Sequence, residues 1–417
     1  MARKRTSPVW LNGRRMGELS SSATSAVRFA YDDAVLDEFS LNVPVLSCSL
    51  PTRTGAVDAR AFFAGLLPEG EHRRALASRA GVLDIDVFAL LVAYGQDVAG
   101  AVVIGDEVAD RPHARADPYD DQGLIDDVGA LATHERPLAV YDDSELSVAG
   151  VQNKMLLVRT ADGHWARPVH GFPSTHILKI DDRMHRGLVV AEHTCLQIAR
   201  AAGLPAASSE LMQFGDVSAI AIERFDRVHA GQSSLPRRIH QEDACQALGI
   251  DLESSQGRAK YESGRELSLR AIAKLLAAWG DEDQLLLLLD QLVFTIIVGD
   301  ADAHGKNIAL LHTRPGHIVL APLYDAVPTA LWPNLRTRAA MSVGAAVDIS
   351  QIDGADIIRE ATSWGVPSSV ASERVKETTH RLVAAAQTVE LVDDPLTARV
   401  ASLVELNAGR VLTTNSL

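Results

Sequence analysis

Three side chains have the chemistry, and the order along the chain, that phosphoryl transfer requires. Asp302 and Asn307 stand five positions apart, and Asp325 follows downstream at the end of an apolar stretch. In phosphoryl transfer one carboxylate takes the proton of the attacking hydroxyl, while an amide and a second carboxylate hold the magnesium ions that bridge the phosphates. The segment therefore predicts a site that transfers a phosphoryl group.

A second interpretation makes the same segment a polar loop that caps a helix. The apolar run 285–298 predicts a buried helix that ends at the cluster, and Asp300 or Asp302 could serve it as turn and cap residues. A plain cap would not need the His-Gly-Lys sequence that follows. The spacing Asp-x-x-x-x-Asn also resembles the catalytic loop of protein kinases, with Asp325 where their metal-binding Asp comes.

An upstream lysine extends the argument. Lys179 interrupts an apolar strand predicted over residues 176–180, and it must reach solvent or an anion because burying an unpaired cation is costly. In a kinase it would meet the α and β phosphates, and Glu192 on the following helix could hold it in place. The alternatives are a solubilising charge on an edge strand for Lys179 and a solvated helix face for Glu192.

Two further segments could contact a nucleotide. Ala149 and Gly150 are small enough for backbone N–H groups to approach a phosphate, and Lys154 adds charge. The segment matches neither G-x-G-x-x-G nor the Walker A pattern, so a plain loop entering a strand is its alternative. Residues 223–227 could form a hinge whose backbone meets an adenine edge, with Phe225 as an apolar wall.

The catalytic loop itself offers two more candidates. His304 and Lys306 flank a glycine between Asp302 and Asn307, where either side chain could contact phosphate. For His304 a structural hydrogen bond is the alternative.

Hydrophobic patterning divides the chain into four parts. Residues 1–107 form a small mixed N-terminal domain, and residues 108–137 a linker. Residues 138–240 form a strand-rich lobe with phosphate loop and hinge. Residues 241–417 form a helical lobe with the catalytic and metal-binding loops. The linker is predicted because residues 106–127 are rich in Asp, Pro, Gly and Arg and lack an apolar period. A strand-rich lobe followed by a helical lobe predicts an α+β, protein-kinase-like bilobal fold.

Local patterns predict several elements. Asn12-Gly13 marks a hairpin, and residues 45–51 are predicted to form a further strand of the first domain. In the strand-rich lobe we expect three strands, at residues 155–159, 176–180 and 219–223. We also expect one helix there, at residues 188–202. After residue 241 the only expected strand covers residues 318–323.

Composition excludes several classes of protein. The chain has 417 residues, 47% apolar and 23% charged, as is ordinary for a globular protein. No apolar run is long enough to span a membrane and no apolar h-region follows the basic start, so we expect a cytoplasmic protein without a signal peptide. The 3 cysteines lack metal-ligand spacing and are expected to be reduced. A formal net charge of -14 disfavours direct binding to nucleic acid.

Short motifs spread over the whole chain resemble those of one known family. In the two lobes they are Ser147-Val-Ala-Gly-Val-Gln-Asn-Lys154, His176-Ile-Leu-Lys179, Glu223-Arg-Phe-Asp-Arg227, Gln241-Glu-Asp-Ala-Cys-Gln246, Asp302-Ala-His-Gly-Lys-Asn307 and Pro322-Leu-Tyr-Asp325. In the first domain they are Val9-Trp-Leu-Asn-Gly-Arg-Arg, Phe62-Phe-Ala-Gly-Leu-Leu-Pro-Glu-Gly and Tyr94-Gly-Gln-Asp-Val-Ala-Gly-Ala. Together these motifs resemble the HipA family, the serine/threonine kinase toxins of bacterial toxin–antitoxin modules.

The resemblance implies roles that spacing alone does not give. Asp302 would be the catalytic base, and Asn307 and Asp325 the ligands of Mg²⁺. The ATP site would be formed by Ala149, Gly150, Val151, Gln152, Asn153, Lys154, Lys179, Glu223, Arg224, Phe225, His304, Gly305, Lys306, Asn307, Tyr324 and Asp325. Autophosphorylation of Ser147 would expel the phosphate loop and silence the kinase, because a phosphate adds nearly two negative charges beside a triphosphate pocket.

The resemblance also implies partners. An aminoacyl-tRNA synthetase would be the substrate, and a small helix-turn-helix antitoxin would bind the toxin, so that DNA is contacted only through the antitoxin. One alternative is a small-molecule or lipid kinase, because such enzymes share the Asp-x-His-x-x-Asn loop. The other is a non-catalytic corepressor scaffold, against which the intact set of Asp302, Asn307 and Asp325 argues.

Overall fold

The chain folds into an N-terminal domain and two lobes. The computed structural model describes residues 4–22, 26–106, 113–133, 153–181, 186–228, 235–252, 257–262, 266–332, 334–389 and 394–413. Within these ranges, no helix combines the length and the apolar composition that crossing a membrane requires.

The N-terminal domain is built on a five-stranded antiparallel sheet. In sheet order its strands are β4 (Val57–Asp58), β3 (Arg28–Tyr31), β2 (Arg14–Ser21), β1 (Arg5–Leu11) and β5 (Val102–Ile104). Its helices are α1 (Asp33–Glu38), α2 (Arg60–Gly65), α3 (Gly70–Ala80) and α4 (Val87–Tyr94). The predicted hairpin is confirmed: Asn12 and Gly13 join β1 to β2 with φ angles of 50° and 77°, as type I′ turns require.

The strand predicted over residues 45–51 is wrong. The segment forms no strand and is held instead by Glu242 of the helical lobe, which accepts hydrogen bonds from Ser47 Oγ at 2.5 Å and Cys48 N at 2.8 Å. His312 Nε2 lies 2.9 Å from the same carboxylate. The apolar residues of the segment therefore reflect burial at a domain junction and not pairing in a sheet.

The strand-rich lobe contains a six-stranded antiparallel sheet. In sheet order its strands are β10 (Ser209–Phe214), β11 (Val217–Glu223), β9 (His176–Ile180), β7 (Lys154–Arg159), β8 (Trp165–Val169) and β6 (Arg115–Pro118), with helices α5 (Asp121–Thr133) and α6 (Leu188–Ala201). The three strands and the helix predicted for this lobe are confirmed. Lys179 lies opposite both Lys154 and Ile220, so all three share one face of the sheet.

Part of the predicted linker belongs to this lobe and packs on the opposite face of its sheet. Of the residues predicted as a linker, 108–137, the described part 113–133 is not a plain connection, because β6 extends the sheet and α5 covers it. Leu124, Val128 and Leu131 of α5 pack in one buried cluster with residues of β7, β9 and β11. Their helical spacing begins only at the end of the acid-rich window and was obscured by it.

The helical lobe surrounds one buried helix. Its strands are β12 (Arg227–Val228), β13 (Arg237–Arg238), β14 (His240–Asp243), β15 (Ala309–Arg314), β16 (His317–Leu320), β17 (Arg338–Val343) and β18 (Ala346–Asp348). Its helices are α7 (Ala244–Ala247), α8 (Leu269–Trp279), α9 (Gln284–Val298), α10 (Gly354–Ser363), α11 (Ser368–Thr388) and α12 (Pro395–Thr413). The buried helix predicted over residues 285–298 is confirmed as α9, and β16 covers part of the strand predicted at 318–323. The other strands were not predicted.

A buried group of charges joins the N-terminal domain to the end of β11. We call this group the junction cluster: Asp97, Arg224, Asp226, Arg227 and Arg238. Arg227 Nη2 donates to Asp97 at 2.9 Å, and Asp226 accepts from the backbone N–H of Gly100 at 2.7 Å. The N-terminal domain is thus fixed to the segment that leaves the strand-rich lobe.

Candidate active site

The loop after α9 brings Asp302 and Asn307 together. Gly299, with a left-handed φ of 75°, ends α9 through backbone hydrogen bonds, so neither of those two side chains is needed to cap the helix. Asp300 Oδ1 accepts from Asp302 N at 2.9 Å, and Asn307 Nδ2 donates to the Asp302 carbonyl at 3.3 Å. Asp300 therefore has the turn role that the second interpretation gave it, whereas a capping role does not account for Asp302 and Asn307.

The Asp302 carboxylate is held by a tyrosine. Tyr261 Oη donates to Asp302 Oδ1 at 2.8 Å, and its ring packs edge-on against His304 at 5.5 Å. Burial and the charge of Asp302 raise the pKa of Tyr261, so it stays a donor. Burial, and secondly Lys260, lower the pKa of His304, whereas Asp302 and Asp325 act to raise it. Both carboxylates therefore lie within electrostatic reach of one ring.

Lys179 bridges the two lobes. Its Nζ donates to Glu192 Oε1 of α6 at 2.7 Å and to Asp325 Oδ1 at 2.6 Å. The lysine is buried and Glu192 fully so, whereas the Asp325 side chain is 39% exposed. The pairing of Lys179 with Glu192 that the sequence suggests is therefore present, and Asp325 joins it from the helical lobe.

The charges around Lys179 are unequal. Burial opposes the charge of the lysine, but Asp325 and Glu192 together raise its pKa. Burial also opposes the charge of Asp325, which by itself would raise the pKa of that carboxyl. The Lys179 ammonium outweighs burial and lowers the pKa of Asp325 to about 2. Burial, with the charge of Asp325, raises the pKa of Glu192, although the Lys179 ammonium acts to lower it. Asp325 has a φ of 54°, which is rare for a residue other than glycine and common at functional sites.

The phosphate-loop candidates are only partly described. Lys154 lies beside Lys179 on the same sheet face, and burial, with the neighbouring ammonium, lowers its pKa to about 7. Asn153 is half-buried, and its carbonyl accepts from Ile180 N at 3.1 Å. Ser147, Ala149, Gly150, Val151 and Gln152 lie outside the described residues.

Gly305 and Lys306 have structural partners. A Cβ on Gly305 would lie 2.7 Å from Cys245 Sγ, so the loop packs too closely there for a side chain. Lys306 Nζ donates to Asp243 Oδ2 at 2.8 Å and to the Gly65 carbonyl at 3.4 Å. The Lys306 ammonium, predicted to contact phosphate, is bound within the protein, by Asp243 of the helical lobe and by the Gly65 carbonyl of the N-terminal domain.

The predicted hinge residues point in different directions. The N–H groups of Glu223 and Arg224 donate to Ser208 and Thr175 at 2.8 and 2.9 Å, and the Arg224 guanidinium belongs to the junction cluster. The Glu223 side chain lines a groove on the other face of the sheet. Phe225 packs against Tyr324 at 5.3 Å, and Tyr324 Oη donates to the Lys306 carbonyl at 2.5 Å.

Sequence reasoning missed four residues of the site. They are Glu69, Asp243, Lys260 and Tyr261. None stands in a periodic pattern, and their contacts reach far along the chain, so the signal was limited to the family motifs that contain Glu69 (Leu-Pro-Glu-Gly) and Asp243 (Gln241-Glu-Asp-Ala-Cys-Gln246).

The residues present fit ATP and magnesium. Carboxylate and amide oxygens, as in Asp325 and Asn307, are the hard ligands that Mg²⁺ prefers. Two buried lysines, Lys154 and Lys179, stand side by side where phosphates would need cations. A lysine bonded to a glutamate on the helix of one lobe, facing an acid-bearing loop of the other, defines the protein-kinase-like class of bilobal α+β folds.

Comparison with known proteins gives the family. Residues 146–386 match the HipA-like C-terminal domain, and residues 7–105 match the HipA N-terminal domain. The protein Y4mE of Sinorhizobium fredii is 36% identical over 358 residues, which are 83% of this chain and 82% of that protein. The serine/threonine-protein kinase toxin HipA of Shewanella oneidensis is 28% identical over 356 residues, 82% and 80% of the two chains. This chain belongs to the HipA family.

A solved structure shows the same fold. HipA of Shewanella oneidensis MR-1, in a complex with HipB and operator DNA, superimposes with a TM-score of 0.80 at 23% identity and covers 97% of both chains. The bilobal protein-kinase-like fold with its added N-terminal domain is therefore shared along the whole length.

Proposed function

We propose that this protein is an ATP- and Mg²⁺-dependent serine/threonine protein kinase that acts as the toxin of a toxin–antitoxin module. The observation that carries the proposal is the position of Lys179, bonded to Glu192 at 2.7 Å and to Asp325 at 2.6 Å. A lysine–glutamate ion pair of this kind is required in active kinases. Family membership and the name of a relative, serine/threonine-protein kinase toxin, support the same reading.

Asp302 is the proposed base. It accepts the proton of a serine or threonine hydroxyl while the hydroxyl oxygen bonds to the γ-phosphorus and the bond to ADP breaks. Tyr261 orients the carboxylate through its 2.8 Å hydrogen bond. Asn307 and Asp325 would hold Mg²⁺, which when bound neutralises charge on the phosphates.

The remaining predicted residues surround the nucleotide in this proposal. Lys154 and Lys179 meet the phosphates, and Phe225 with Tyr324 lies at the adenine end. Residues 149–153 form the phosphate loop, and His304 stands beside Asp302. Glu223 and Arg224 would contribute through their backbone, because their side chains lie in the groove on the other sheet face and in the junction cluster. Gly305 and Lys306 support the loop.

Regulation and partners follow from the family. Autophosphorylation at Ser147 would silence the kinase by placing charge beside a triphosphate site. A helix-turn-helix antitoxin is the proposed partner, supported by the HipB in the structure of the Shewanella complex. An aminoacyl-tRNA synthetase in the cytoplasm is the proposed substrate.

The central test is phosphoryl transfer by the purified chain. Wild type, Asp302→Asn and Asp216→Asn are incubated with ATP and Mg²⁺, with and without aminoacyl-tRNA synthetases, and phosphosites are mapped by mass spectrometry. Asp216 is a matched control because it is exposed in the turn between β10 and β11. We expect phosphate on Ser147 and on a synthetase with wild type and control, and none with Asp302→Asn. Transfer that survives in Asp302→Asn would contradict the assignment.

The alternatives are separated in the same assay. Transfer to small alcohols but not to protein would identify a small-molecule kinase. Wild-type protein that binds ATP without any transfer would identify a scaffold.

A further inference from the structure

One acidic side chain of the N-terminal domain reaches the catalytic loop of the helical lobe. Glu69 precedes α3, yet its carboxylate does not cap that helix, although a helix N-terminus attracts such a group. Its Oε2 instead accepts from Lys260 Nζ at 3.4 Å, and its Oε1 lies 3.9 Å from Lys306 Nζ.

The turn that presents Glu69 is fixed from inside the N-terminal domain. Arg73 is buried, and its guanidinium donates to the carbonyls of Pro68 and Ala64, each at 2.9 Å. Both bonds hold the stretch of chain that leads into Glu69. The Glu69 carboxylate is therefore presented by a rigid turn.

The lysine partners of Glu69 flank the proposed base. Lys260 is followed by Tyr261, whose hydroxyl donates to Asp302 at 2.8 Å. Lys306 belongs to the catalytic loop, between Asp302 and Asn307. Glu69 thus binds Lys260 on one of the two segments that set the position of the Asp302 carboxylate. On the other segment it adds a second, longer ion pair at 3.9 Å to Lys306, whose hydrogen bond goes to Asp243 at 2.8 Å.

The charge of Glu69 also reaches the site directly. It acts to raise the pKa of His304, Lys154 and Lys306. Its side chain and that of Lys260 are 19% and 12% exposed, so this pair is less screened by solvent than a surface ion pair would be. Oε1 is buried and accepts no hydrogen bond from any residue that the structure describes.

We propose that Glu69 is a positioning residue for phosphoryl transfer, acting on Asp302 through Lys260–Tyr261 and through Lys306. The N-terminal domain is then a working part of the kinase site and not only a platform beside it. This inference rests on the proposed kinase activity. Its test distinguishes a failure of the inference from a failure of the proposed activity.

The test uses the full chain and compares Glu69→Gln, Glu69→Asp and Glu71→Gln. Glu71 is the matched control, since it stands in the first turn of the same helix and is exposed. We expect Glu69→Gln to lower kcat by about 10- to 100-fold, because small misplacements of catalytic groups have effects of that size. The KM for ATP and the Tm should change little. Glu69→Asp should recover part of kcat, and Glu71→Gln should match wild type.

A double-mutant cycle with Lys260→Met tests the route. If Glu69 acts through Lys260, the double variant will lose no more kcat than the worse single variant. Additive losses, an unchanged kcat in Glu69→Gln, or a kcat that falls only in step with Tm would overturn the inference. Wild type without any transfer would remove the proposed function and this inference together, whereas an active wild type with an equally active Glu69→Gln would remove the inference alone.

Discussion

Two buried groups of charge in this protein are satisfied in different ways. In the junction cluster, the guanidiniums of Arg224 and Arg227 bind Asp97 and Asp226 and also donate to backbone carbonyls of residues 98 and 100. In what we call the cleft cluster, which is Lys154, Lys179, Glu192 and Asp325, one ammonium bridges two carboxylates and Asp325 remains 39% exposed.

The difference separates a structural contact from a site that exchanges partners. Arginine has several donors in a fixed fork, so a guanidinium with carboxylates and carbonyls around it sets one geometry. A lysine ammonium is a compact charge on a flexible stem, and it can change partner when a phosphate enters. Burial of charge alone therefore does not mark the active site, whereas an acceptor open to solvent beside a bridging lysine does.

The largest effect is expected at the centre of the cleft cluster. Lys179→Met should lower phosphoryl transfer by about 10³-fold, or about 4 kcal/mol in the barrier, because it removes the lysine–glutamate pair. Stability should change less, since Glu192 can take up a proton, its pKa being raised by burial already. Single-turnover transfer at saturating ATP and urea unfolding measure the two quantities. A variant within tenfold of wild type would place Lys179 outside the chemistry.

The junction cluster should show the reverse pattern. Asp226→Asn leaves Arg224 and Arg227 with one carboxylate fewer, and breaking a buried ion pair in this way costs about 3 kcal/mol of unfolding free energy. Transfer by the folded fraction should stay near wild type. Urea unfolding and kcat are compared with the exposed control Asp216→Asn. A large loss of kcat without loss of stability would show that the junction takes part in catalysis.

The stability of the protein should depend on pH through Lys154 of the cleft cluster. The pKa of Lys154 is lowered from 10.5 to about 7 in the folded protein. Between these values the unfolded chain binds a proton that the folded chain does not, so the contribution of Lys154 to stability rises with pH, by at most about 1.4 kcal/mol per pH unit. Below the lower value the full penalty of burying the charge is present.

The check is urea unfolding of wild type and Lys154→Met between about pH 7.5 and about pH 9. The free energy of unfolding of wild type, minus that of the variant, should increase as pH rises. A difference that stays flat or declines would show that Lys154 remains charged in the folded protein.

Sequence alone revealed the cleft better than the junction. Lys179 stands out because a cation in an apolar strand must find an anion, and Asp302 and Asn307 stand out through their fixed spacing. The junction cluster gave no such signal, since Asp97 and Arg227 are 130 positions apart. The family resemblance placed Arg224 in the ATP site, although its guanidinium lies in the junction cluster.

Strands in the helical lobe were missed for a related reason. β14 has the sequence His-Gln-Glu-Asp and β17 Arg-Ala-Ala-Met-Ser-Val, neither of which has the run of β-branched and aromatic residues that marks a strand. These segments are extended because neighbouring strands and buried partners hold them, as Glu242 is held by residues 47 and 48. Such tertiary contacts cannot be read from local pattern.

The smallest effect is expected where the cleft meets the hinge. Tyr324→Phe removes the hydrogen bond to the Lys306 carbonyl but keeps the ring against Phe225 at 5.3 Å. Loss of one hydrogen bond should lower the free energy of unfolding by about 1 kcal/mol. Tyr324→Leu should cost about 1 kcal/mol more, because it also removes the aromatic pair. Urea unfolding and ATP binding measure both variants. If the phenylalanine variant alone lost about 3 kcal/mol, as a broken buried ion pair does, the cleft would be as rigidly built as the junction, and the contrast between the two would not hold.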